Sequence, residues 1–137
     1  MRTVSHLTVA CVMGLGLAPA ATAAPGTVTG PDARTVVLTT EDDDRILTVR
    51  SGDVLDVRLA GHHDRGRTFS WHVPSASDSM VLGKASGGTS PEGGAGRRFS
   101  ANARGTATIG SQRTCLADAG YRCPEVTLSW KVVVTVR

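Results

Sequence analysis

With 137 residues, 40% of them hydrophobic and 20% charged, the chain has the material for one domain with one modest core. A formal net charge of +3 excludes the strongly basic surface of a nucleic-acid binder, and no run is long and apolar enough for a membrane helix. Only 4% of residues are Phe, Trp or Tyr, so Phe69, Trp71, Phe99 and Trp130 must carry an outsized part of any core.

The chain begins with a basic residue, Arg2, followed by the short apolar run 6–17 and by the small residues of Ala21-Thr22-Ala23. This pattern predicts a secretory signal peptide over 1–23, cut before Ala24. Cys11 is no lipidation site on this reading, because Thr8 stands where a lipobox takes an aliphatic residue. The 137 residues less the 23 of the leader leave 114, and losing Arg2 takes the charge from +3 to +2. The expected product is an exported protein that inserts in no membrane and binds no nucleic acid. Residues 24–34, rich in Pro, Gly and Thr, read as a flexible N-terminal lead to a domain over 35–137.

Short β-prone runs then alternate with turn residues. The segments 35–40 (TVVLTT) and 45–49 (RILTV) flank Glu41-Asp42-Asp43-Asp44, which reads as a charged hairpin turn. Ser51-Gly52-Asp53 is a turn before 54–59 (VLDVRL), where Leu55, Val57 and Leu59 alternate with Asp56 and Arg58. In 68–73 (TFSWHV), Phe69, Trp71 and Val73 share one face, and Pro74 ends the run. A weak strand at 80–84 leads to a glycine-rich loop over 85–96. Strands at 97–103 and 106–111 follow, and the chain closes on 126–136, whose even-numbered residues from Val126 to Val136 all share a face. No helical period persists. The prediction is all-β: an immunoglobulin-like antiparallel β-sandwich of seven or eight strands.

Removal of the leader leaves two cysteines, Cys115 and Cys123, in CLADAGYRC. In an exported chain the expectation is a disulfide pinching a short loop at its base. A thiolate metal site would need two further ligands, and none lies near in sequence.

Other side chains pose sharper questions. His62, His63 and Asp64 stand together, and His72 follows on the wet face of the next strand; the alternatives are a metal site, a solvated loop tip and a partner-contact loop. Glu41-Asp42-Asp43-Asp44 lacks the alternating ligands and the glycine of a calcium loop. No Ser or Cys sits in a motif with a base and an orienting group, so the chain reads as non-enzymatic, with no cofactor. Arg65, Arg67, Arg97, Arg98 and Arg113 would form a basic patch if their loops converged.

The order TVRSGDVLDVRL (48–59), AGHHDRGRT, FSW (69–71), GGAGRRFSA (93–101), RGTATIG (104–110) and a closing valine-rich strand resembles the chagasin family. Its members are exported immunoglobulin-like inhibitors of papain-type cysteine proteases. The likeness spans about 35–136 and rests on pattern and order. It implies a protein partner, such as a papain-type cysteine protease, met by three loops at one end of the sandwich. The family's first loop, Asn-Pro-Thr-Thr-Gly, corresponds here to His62-His63-Asp64-Arg65-Gly66-Arg67-Thr68, which is slightly longer and matches only at Gly66. Its Gly-x-Gly-Gly loop is matched in character by Gly93-Gly94-Ala95-Gly96. Its Arg-Pro-aromatic loop is met by Arg113 alone, because Thr114-Cys115 follows and the chain runs on into the disulfide loop. A loop with two imidazoles, one carboxylate and two guanidiniums is costlier to desolvate than the family's small uncharged one. A changed target follows, or a cell-envelope interaction domain without inhibitory activity, or a metal-binding protein using His62, His63 and His72.

Overall fold

The structure is a computed structural model and describes residues 33–137. The expected leader and nearly all of the N-terminal lead lie outside the described residues. In chain order the strands are β1 (Thr35–Thr39), β2 (Arg45–Val49), β3 (Val54–Leu59), β4 (His62–Asp64), β5 (Arg67–Trp71), β6 (Ser75–Ala76), β7 (Leu82–Thr89), β8 (Ala95–Ala101), β9 (Gly105–Ala117) and β10 (Leu128–Val136). They form two sheets, one in the order β1-β3-β8-β7, the other β2-β10-β9-β5-β4 with β6 added on β9.

The core lies between the sheets and follows the period-two alternation of each strand. Leu55, Val57, Leu59 and Phe99 face inward from the first sheet, and Ile109, Trp130, Val132 and Val134 from the second. The Trp130 indole is buried, and its Nε1–H donates to the Thr39 carbonyl at 3.0 Å. That bond ties the start of β10 to the end of β1 across the layers, and it supplies the partner that a buried indole N–H needs.

The all-β sandwich expected from the pattern is what the chain forms, with corrections of detail. The described residues hold ten strands, against seven or eight expected; the additional ones are β4 and the two-residue β6. Two pairs, β1 with β3 and β2 with β10, run parallel. The chain runs along β1, crosses to the other sheet for β2, and returns for β3. Alternate strands therefore point the same way, and neither 40–44 nor 50–53 is a hairpin turn. Thr40–Asp42 forms one 3-10 turn, capped by Thr39, within the first crossover. The glycine-rich loop is shorter than its composition suggests: Ala85–Thr89 belong to β7, which bulges between Lys84 and Gly87 and still pairs with β8. Ala95 and Gly96 likewise start β8. At the other end of the chain, Val126 precedes β10 and is exposed.

The Gly-Asp of the second crossover is structural. Gly52 has φ +96°, a conformation that glycine adopts without penalty. Asp53 is 1% exposed; its Oδ1 accepts from the Arg34 N–H at 3.0 Å and its Oδ2 from the Arg50 N–H at 2.9 Å. The Arg50 bond chiefly, then the Arg34 bond, hold the carboxyl below its ordinary value of 3.8, with the charges of both arginines assisting and burial opposing. The folded pKa is depressed, so Asp53 contributes stability at pH values above 3.8 that is lost as pH falls through the lower folded value. Asp53→Asn sets an NH2 against one of the two N–H donors. It should cost about 2 kcal/mol at pH 7, read by urea denaturation, and flatten the loss of stability below pH 4. An unchanged midpoint would remove Asp53 from this role.

Candidate functional site

The segment expected as a loop at 62–68 is a β-hairpin. His62 pairs with Phe69, His63 with Thr68 and Asp64 with Arg67. Between them Arg65 (φ 46°) and Gly66 (φ 73°) make the turn with both central residues left-handed, which matches the twist of the flanking strands. Strand alternation sends the two imidazoles to opposite faces. His62 stacks on the Phe69 ring at 5.9 Å between centroids, while His63 Nδ1 lies 3.1 Å from Thr68 Oγ1. Adjacent histidines so divided cannot share one ion. Among the described residues, no group of three or more His, Cys, Asp and Glu is placed to hold a metal.

The glycine segment docks on the base of this hairpin. Ser90 to Gly94 form a tight turn: the Ser90 N–H donates to the Gly94 carbonyl at 2.8 Å and the Gly94 N–H to Ser90 Oγ at 3.1 Å. Where β4 leaves the edge of β5, the Gly93 carbonyl accepts from the Trp71 N–H at 2.9 Å. Gly93 has φ +86°, and a Cβ there would stand 2.8 Å from the Phe69 carbonyl oxygen. Gly61 faces the turn from the β3–β4 connection; a Cβ on it would run into the Glu92 carbonyl. The Trp71 indole N–H closes the arrangement by donating to the Ala60 carbonyl at 3.0 Å.

The third segment packs on the hairpin tip. β9 runs past the end of β10, and its last residues pair with β5, Phe69 opposite Cys115 and Arg67 opposite Ala117. Cys115 and Cys123 are disulfide-bonded with their Cα atoms 5.8 Å apart. The closed loop presents Asp118, whose N–H donates to the Gly66 carbonyl at 2.7 Å, and Tyr121, whose ring occupies the space that a side chain at Gly66 would need. In the chain-entropy account, replacing both cysteines by alanine should cost about 2.6 kcal/mol. The check is a shift of the urea midpoint, which an equally stable double variant would contradict.

The three expected segments therefore meet at one end. Their junction is an aromatic and cationic stack: the Arg113 guanidinium lies 4.6 Å from the Phe69 centroid and 5.9 Å from that of Trp71, and His62 covers Phe69 from β4. Such contacts are worth about 0.5–1 kcal/mol where partly exposed. Arg113 thus props the aromatic rings, while Arg65 projects from the tip with its side chain 84% exposed.

The expected basic patch is divided. Arg65, Arg67 and Arg113 belong to this end. Arg97 instead donates from Nη1 to the Pro74 carbonyl at 3.2 Å, and Arg98 lies 3.6 Å from Asp56, because both sit within β8 in the other sheet. Three contributors were not singled out in the sequence: Gly61, Tyr121 and Leu128, the last standing beside Arg113 on β10 and half exposed. Glycine directly after a strand was the available signal for the first. Nothing local marked the other two, which depend on the long-range pairing of β9.

No protein-family model and no curated protein matches this chain. Among solved structures it is similar to a cysteine protease inhibitor from Entamoeba histolytica, with 17% identity, a TM-score of 0.55, and coverage of 79% of this chain and 100% of that one. Amebosin aligns with 16% identity and a TM-score of 0.44 over 77% of this chain and 98% of its own. PbICP-C, solved in complex with falcipain-2, aligns with 13% identity and a TM-score of 0.43 over 76% and 92%. The fold implied by the chagasin resemblance is the fold this chain has, and the first of these structures shares it from end to end.

Proposed function

We propose that the chain is an exported, non-enzymatic inhibitor of papain-type cysteine proteases, acting through the end of the sandwich that holds the β4–β5 tip, the glycine turn and the disulfide loop. The observation that carries this reading is the convergence of those segments in a fold shared with a cysteine protease inhibitor. A rigid wedge binds well because little freedom is left to lose. Here the tip is fixed by a left-handed turn, the glycine turn by its bond to Trp71, and the third segment by a disulfide. The Ser90–Gly94 turn brings the exposed Ser90, Pro91 and Glu92 to this end over a buried Gly93, so it would present one carboxylate to the cleft. The charged tip, with Asp64, Arg65 and Arg67, sets the choice of target by favouring a cleft with acidic groups at its rim.

The test is to add residues 24–137 to papain and to related proteases titrated for active sites, and to follow hydrolysis of a peptide substrate. Competitive inhibition with a constant below about 1 μM is expected for at least one enzyme. The absence of inhibition throughout, at concentrations well above that, would reject the reading. It would favour the second one, a cell-envelope interaction domain, which the exposed charge of Arg65 supports because burying it in a protease cleft is costly.

A further inference from the structure

The disulfide does not staple the two sheets together. Cys115 lies in β9, and Cys123 lies in the irregular run 118–127 between β9 and β10. That run is tied to the body by little else. Its backbone bonds run from the Asp118 N–H to the Gly66 carbonyl at 2.7 Å and from the Tyr121 N–H back to the Asp118 carbonyl at 3.1 Å. Apart from Cys123 its residues are exposed. Its charged side chains, Asp118, Arg122 and Glu125, form no ion pair among the described residues. A segment with so few contacts belongs to the low-stability end of a fold.

The surroundings of Cys115 favour opening of the bond. Strand alternation and the register place Arg113, Cys115 and Ala117 of β9 on one face with Trp71, Phe69 and Arg67 of β5. Neither arginine of this face has an acidic partner. The Arg113 guanidinium lies 4.6 Å from the centroid of Phe69, the residue opposite Cys115. Arg67 Nε is buried without a hydrogen-bond partner, and Asp64, opposite Arg67 on β4, lies 3.9 Å from Arg65 instead. Cations so placed favour a thiolate over a thiol and make it a better leaving group. Both cysteines are half-buried, outside the sealed core.

We infer that the Cys115–Cys123 bond is a redox switch, opened by a small thiol, that sets the order of this end of the sandwich. The thiolate of the small molecule attacks Cys123 Sγ. A mixed disulfide forms, the bond between the two protein sulfurs breaks, and Cys115 leaves as a thiolate on the face of Arg67 and Arg113. A second small thiol then displaces Cys123 from the mixed disulfide. Two electrons and two protons pass to the protein, and the small thiol ends as its own disulfide. Cys115 stays pinned by β5, whereas the run that carries Cys123 keeps only the Asp118 bond. Tyr121 then leaves Gly66, and the β4–β5 tip loses its cover. The oxidised form is the inhibitory one; that consequence rests on the proposed function, and the opening itself does not.

The test holds residues 24–137 in millimolar reduced glutathione without denaturant and counts free thiols by alkylation and mass. Both thiols should appear while the far-UV circular dichroism stays unchanged. Hydrogen exchange at the Asp118 amide should quicken about tenfold or more. Oxidised glutathione should restore the bond and the protection. The variant Cys115→Ser with Cys123→Ser, permanently open, should match the reduced form and inhibit a papain-type protease about tenfold more weakly than the oxidised parent. An oxidised parent that inhibits no protease would reject the inhibitor reading, and the exchange measurement would still decide the switch. A bond that resists glutathione until the sandwich unfolds, or an Asp118 amide equally protected in both forms, would overturn the inference. So would a double-serine variant as potent as an inhibiting parent.

Discussion

Replacing Trp130 by alanine should lower the stability of the domain by about 4 kcal/mol, the middle of the range for deleting a large buried aromatic. Trp130 is 1% exposed and sits where the sheets meet, its neighbours on the inner face of β10 being Val132 and Val134. The substitution removes the ring and also leaves the Thr39 carbonyl without its 3.0 Å donor. Trp130→Phe separates the contributions. It keeps most of the apolar volume and loses the donor, so about 1–2 kcal/mol is expected. Urea denaturation followed by far-UV circular dichroism reads both values. A loss below about 1 kcal/mol for the alanine variant would mean that the layers do not close on this side chain.

Gly93→Val should do less to the core and more to the site. At φ +86° a β-branched residue is strained by about 1–3 kcal/mol, and its Cβ would press on the Phe69 carbonyl oxygen and on Ser70 Oγ, both 2.8 Å away. Those contacts lie on β5, which is pinned by β9 and cannot retreat. The glycine turn must therefore leave the strand edge, breaking the bond from the Trp71 N–H to the Gly93 carbonyl. The expected results are a loss of about 3 kcal/mol, loss of hydrogen-exchange protection at the Trp71 amide, and at least a tenfold weakening of any protease inhibition. Retained protection at Trp71 would show that the turn is not held there.

Strands buried on one face announced themselves in the sequence. β3 and β10 place an apolar residue at every second position, so Leu55, Val57, Trp130 and Val132 could be assigned to a core before any coordinates. β4 could not be seen: His62, His63 and Asp64 are all polar, and polar alternation carries no period. Its existence depends on β9 extending far enough to hold β5, and so on pairings some 45 positions away in sequence, such as Phe69 with Cys115. The acidic 41–44 segment was recognised as a turn, but a turn's composition does not say whether the next strand joins the same sheet or the facing one. Ala85 to Thr89 read as a loop because small residues depress strand propensity; β8 supplies the partner that overrides it. The three segments at 62–68, 93–96 and 113–123 were legible as a group only through the order of motifs. The contacts that hold them together, Tyr121 on Gly66 and Arg113 on Phe69, were not.

The central claim is that one end of the sandwich is the recognition surface. It is tested most directly by amide chemical-shift mapping of residues 24–137 mixed with a papain-type protease whose catalytic cysteine is replaced by alanine. Perturbations should gather at 64–67, 90–94 and 118–122. Their absence at saturating protease, or their concentration at the opposite end around 50–53 and 102–104, would contradict it.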